Sequence, residues 1–177
     1  AAPSDSGYSG YTPEEAAFLK TVEVKGSPGG IPSGSDGPIQ RIFYTASSYA
    51  TSHPGTNPPG ANNFSCKPKK GQNPVVLLPG TNSDGYVSWS MYTPQLRARG
   101  YCPFVANFNG LPWLSSFAYT GDIRTTAKAT SIFIDRSIKA VYTTIGEAVV
   151  LVVLIIFLFL RSFRATLIPL VTIPVSL

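Results

Sequence analysis

Glycine and proline almost vanish from this chain after residue 129. All but one of the 16 glycines and 14 of the 16 prolines lie before that point. Polar side chains disappear as well, since residues 148–160 read AVVLVVLIIFLFL, without one polar side-chain atom. Two different physical environments are therefore written into one chain. Histidine occurs once, as His53, in a turn-rich loop where a lone imidazole reads as a surface residue. No basic stripe with interleaved aromatics accompanies the net charge of +5, which divides into 10 Lys/Arg against 7 Asp/Glu before residue 129 and 4 against 2 after it. Nucleic acid is excluded as an expected partner, and the short cluster Lys67, Lys69 and Lys70 reads as a solvated loop. No metal and no cofactor is expected.

What is present centres on residues 73–110. The apolar run Val75, Val76, Leu77, Leu78 ends at Pro79-Gly80; a polar loop, a segment closed by Gly100 and a second apolar run over 101–108 follow. Apolar runs without alternation suit strands buried on both faces, and a helical crossover makes such a pair parallel. The stretch predicts one βαβ unit of an α/β domain. Cys66 precedes its first strand and Cys102 opens its second. The two are either free buried thiols or a disulfide, and parallel neighbouring strands favour the disulfide. Closing that loop stabilises the fold by about 4 kcal/mol on the chain-entropy account and places this part in an oxidising compartment.

Before this unit, Thr12 can cap a helix over 12–20, with Pro13 in its first turn and Glu15 completing a capping box. Residues 26–37 are Gly/Pro/Ser punctuation, and 39–45 (IQRIFYT) have the composition of an edge strand. Ala1-Ala2-Pro3 resembles what remains after an export signal is cleaved. After the unit, Asp122 can cap a helix starting at Ile123.

Residues 140–160 contain one charged side chain, Glu147, in 21 positions. As a helix this is about 31 Å, the thickness of a bilayer core, so the membrane is an expected partner through about 140–160. Arg161 and Arg164 follow, and Arg136 and Lys139 flank the other end. Residues 165–177 form a second apolar segment of 13 residues, too short to span.

The run PVVLLPGT, the aromatic helix and GYCPFVANFNG resemble secreted actinobacterial triacylglycerol lipases of the α/β-hydrolase superfamily over about 12–128. The cysteines in FSC and GYC match as well. The resemblance implies a lipid or ester substrate and a backbone N–H at Thr81 serving an oxyanion hole, worth about 3 kcal/mol of transition-state stabilisation per donor. The alternative for Thr81 is an ordinary strand-to-helix turn. Pro79 stands where the family usually has histidine. No G-x-S-x-G nucleophile motif occurs, and His53 lies upstream of the unit, so the expected hydrolase is inactive.

From Ser131 onward the sequence, with its FRATLIP run, resembles the second and third transmembrane helix region of resistance-nodulation-division efflux pumps. Glu147 is the one intramembrane acid, a functional candidate or a carboxylate reaching to the interface. The expected fold is α/β: an incomplete α/β-hydrolase-like sheet of two to four strands (1–128), followed by a long transmembrane helix over about 137–160 (129–177). The expected localisation is an exported N-terminal part with a membrane-spanning C-terminal helix. Three functions follow: an ester hydrolase by descent of most of the chain, a fragment of a proton-driven multidrug efflux transporter, or a chimeric tethered piece without activity.

Overall fold

Thr12 starts the first helix of the computed structural model, which describes residues 5–110 and 118–160. Helix α1 (Pro13–Thr21) carries both arms of the capping box: Glu15 N–H donates to Thr12 Oγ1 (3.3 Å) and Thr12 N–H to Glu15 Oε2 (2.8 Å). Strand β1 (Pro74–Leu77) pairs in parallel with β2 (Cys102–Val105), Pro74 opposite Cys102 and Leu77 opposite Val105. β2 is fully buried along its length, and these two strands form the sheet among the described residues. The crossover between them consists of two short helices, α3 (Gly85–Trp89) and α4 (Thr93–Ala98), where the sequence suggests one. Pro94 explains the break, because proline fits the first turn of a helix and not its interior. Cys66 is bonded to Cys102, tying the loop before β1 to the first residue of β2.

The strand expected over 39–45 is not formed. A helix, α2 (Phe43–Ser52), occupies the second half of that stretch and continues beyond it. Its aromatic and β-branched residues do not build a buried face: Ile42, Phe43 and Tyr44 are exposed, and the residues that bury are Ala46 and Ala50. Small residues four apart let α2 sit against the Tyr86 ring of α3, whose hydroxyl donates to Pro38 O (2.6 Å). Gly37 lies under the same ring; a Cβ there would come within 2.4 Å of it.

The last helix, α5 (Ile123–Leu160), is continuous over 38 residues. The helix at Ile123 and the apolar helix expected from 137 are thus one element, and the composition break near 129 falls inside it. Asp122 caps its start, Oδ2 accepting from both the Thr125 N–H and hydroxyl (2.8 Å each). Asn109, in the left-handed region that asparagine tolerates, donates from Nδ2 to Asp122 O (3.0 Å) and Thr126 Oγ1 (2.8 Å). Ala129, Phe133, Ser137 and Val141 are buried at a spacing of four, one stripe on one side of the helix. That stripe joins Leu19 and Val22 of the α1 region and Phe104, Ala106 and Phe108 around β2 in a single core, with the Phe133 ring edge-on to Phe108 at 6.1 Å. Helix α5 thereby packs against the two-stranded sheet. Beyond Val141 no described side chain of α5 is buried; Val150 is 67 % exposed and Leu154 55 %.

Candidate functional site

Ligands of open α/β sheets gather at the carboxyl ends of the strands, and the loop after β1 leads there. Pro79 is buried, Gly80 has open space around it, and Thr81 is exposed. No hydrogen bond engages the Thr81 N–H among the described residues. Asn82 takes φ +60°, a reversal that asparagine accommodates, and delivers the chain to Ser83 and Asp84, both buried. Asp84 caps α3, its Oδ1 accepting from Val87 N–H at 2.7 Å. Burial pushes its carboxyl up to about 6, against the pull of the backbone N–H donors of Val87 and Tyr86. Beside it, Asn107 holds the loop to the end of β2: Oδ1 accepts from Gly85 N–H (2.7 Å) and Nδ2 donates to Ser27 Oγ (3.2 Å).

This cluster offers an unengaged N–H donor and a protonatable acid. It offers no nucleophile paired with a base. His53 closes α2, its ring stacked on Tyr49 at 4.2 Å and its Nδ1 within hydrogen-bond reach of Tyr49 O (3.1 Å) and Ser52 Oγ (3.0 Å), so the imidazole serves the helix end. Lys67, Lys69 and Lys70 lie on the surface loop before β1. Among the described residues no group of His, Cys, Asp and Glu could hold a metal ion. Sequence reasoning passes over Asp84 and Asn107. An Asp-Gly pair opening the crossover is the available signal for the first; the second gives none, because its two partners lie 22 and 80 residues away.

The other feature of functional interest is α5 itself. It is long and apolar enough to cross a membrane, and only 6 % of its apolar window is buried, unlike the core helix of a soluble domain. Glu147 is exposed on it, at the far end of a cleft that Arg136 and Lys139 also line. The flanking Arg161 and Arg164 and the segment 165–177 lie outside the described residues.

Residues 114–177 match the AcrB/AcrD/AcrF family. The match starts upstream of Ser131, where the resemblance to efflux pumps becomes legible in the sequence, and so takes in the whole of α5. Among similar curated proteins, multidrug resistance protein MdtF of Escherichia coli K12 is 50 % identical over 46 residues, which is 26 % of this chain and 4 % of that protein. The solvent-resistant pump membrane transporter SrpB of Pseudomonas putida is 56 % identical over 48 residues, 27 % of this chain and 5 % of its own length. The toluene efflux pump membrane transporter TtgE, also of Pseudomonas putida, gives the same identity over 48 residues, again 27 % of this chain and 5 % of that protein. The chain thus spans about one twentieth of the curated relatives it matches. None of these three is named as a hydrolase, and the family match does not extend into residues 1–113.

Proposed function

We propose that this chain is a membrane-anchored protein whose α5 is a transmembrane helix of the resistance-nodulation-division type, a fragment of a multidrug efflux transporter in origin. One coincidence carries the reading. The segment that matches AcrB/AcrD/AcrF contains the same helix that leaves the core at Val141 and, over 148–156, carries only apolar side chains, none of them buried. We place residues 1–139 on the exported side, which agrees with the Cys66–Cys102 disulfide and the chemistry of oxidising compartments. Membranes from expressing cells, washed in alkaline carbonate, retain the chain on this reading, and protease added to intact spheroplasts digests the N-terminal part. Release into the carbonate supernatant rejects the anchor; protection from protease rejects the orientation. Efflux of drugs or solvents, the property named for the relatives, is tested by substrate accumulation in pump-deficient cells expressing the chain.

A second reading, a hydrolase-like N-terminal unit joined to that helix, draws on the parallel β1-crossover-β2 unit and the free Thr81 N–H. Hydrolysis of a p-nitrophenyl ester, abolished by a serine-directed phosphonate, supports it. Lack of turnover leaves the transporter-type anchor as the function.

A further inference from the structure

Where α5 leaves the core, Arg136 is held in an unusual way. Its guanidinium carbon lies 4.7 Å from the Tyr11 ring centroid and 4.3 Å from that of Phe64, two aromatic faces on one cation. Gly10, at φ +87°, passes close beneath the side chain; a Cβ there would meet Arg136 Nε at 3.3 Å. The side chain is therefore fixed before any ligand arrives. The guanidinium hydrogen-bonds the Tyr11 side chain, yet its buried Nη1 has no hydrogen-bond partner among the described residues, and a charged donor taken from water without an acceptor is costly. Other atoms of Arg136 line an open cleft, where an acceptor from outside the chain can meet the cation.

The surroundings say what kind. Arg136 opens onto a cleft of about 470 Å³ that is also lined by Ser65, Lys139, Thr143 and Glu147. Lys139 is three residues on, hence on the same side of the helix, and Thr143 is four further. Among the described residues Glu147 is the one acid in the lining, and it lies about 12 Å beyond Lys139 along the helix axis, so the near end of the cleft is a two-cation pocket with hydroxyls beside it. A planar guanidinium beside an ammonium and hydroxyls suits a tetrahedral oxyanion, which accepts several hydrogen bonds at once.

We propose that this cleft binds a phosphate-bearing anion between Arg136 and Lys139. The two cations stand immediately before the apolar stretch 140–160, at the level of the headgroups if α5 spans a bilayer, so the phosphodiester of an anionic lipid is one source and soluble phosphate the other. The lipid source rests on the transmembrane reading; the anion chemistry does not.

The test uses the full chain in a neutral detergent, with equal phosphatidylglycerol and phosphatidylcholine added and retained lipid counted by native mass spectrometry. One phosphatidylglycerol is retained at ~5-fold preference, the increment of one cation near a lipid surface, and Lys139→Gln reduces it to parity. Arg136→Gln does the same, and because Arg136 also packs, the exposed Lys139 keeps the test independent of folding. In a parallel arm, millimolar inorganic phosphate raises the melting temperature over chloride at equal ionic strength, an effect lost in Lys139→Gln, if the soluble anion is the ligand. Failure of both arms, or effects that survive Lys139→Gln, overturns the site. Carbonate extraction reports separately on the anchor, so a soluble protein that binds phosphate retains the site and loses only the lipid.

Discussion

Asp84 is buried at the start of α3, and burial is the largest influence on it, raising its carboxyl to about 6. The folded state therefore holds the proton more tightly than the unfolded chain does. Its contribution to stability is fullest below pH ~4, the ordinary carboxylate range. It is lost as pH rises through about 6. The loss is on the order of 2–3 kcal/mol. Asp84→Asn keeps an oxygen for the Val87 N–H but has no proton to lose, so its thermal midpoint should stay level between pH 4 and 7 while the wild type declines; parallel profiles would exclude the assignment. At the start of β2, Cys102 is joined to Cys66 across a separation of 36 residues. Cys66→Ser, or reduction of the wild type, should lower stability by roughly 2–5 kcal/mol by denaturant unfolding.

The long helix divides into two halves with different sensitivities. Phe133 is fully buried against Phe108, and Phe133→Ala should cost about 3–5 kcal/mol. Val150, two thirds exposed, should give under ~0.5 kcal/mol for the same truncation; equal losses at both sites would mean the apolar half is packed as well. The elements legible in the sequence carry their own signals within a few residues. Thr12, Pro13 and Glu15 mark α1, Asp122 marks the start of α5, and the two apolar runs mark β1 and β2. Helix α2 reads as a strand because Ile39, Ile42, Phe43 and Tyr44 favour strands locally, whereas the decision rests on Ala46 and Ala50 meeting a tyrosine some 40 residues away. The Arg136 clasp is equally out of reach, since Gly10, Tyr11 and Phe64 come to it from distant parts of the chain. Thr81, by contrast, follows an apolar run in the sequence, and it stands exposed just beyond β1.

At the scale of the whole molecule, the composition marks a break near 129 and the structure runs a helix through it. Chemistry changes there; the packing does not, because Ala129, Phe133 and Val141 complete the core built by α1 and β2. Anchoring should depend on the far half alone. Leu151→Arg with Ile155→Arg puts two cations on exposed apolar positions, each costing ~2.5–3.5 kcal/mol at a bilayer centre. The double variant should move from the carbonate-washed membrane to the supernatant with its disulfide intact; continued retention would mean that another part of the chain holds it. The continuity of α5 also governs how the body can move. The last core residue, Val141, and the first exposed apolar turns share one unbroken helix. A tethered domain on a flexible stalk tumbles in water; on the proposed transmembrane reading this one would only spin about the bilayer normal, at a rate set by the viscosity of lipid, with the same flank always toward the phosphate layer.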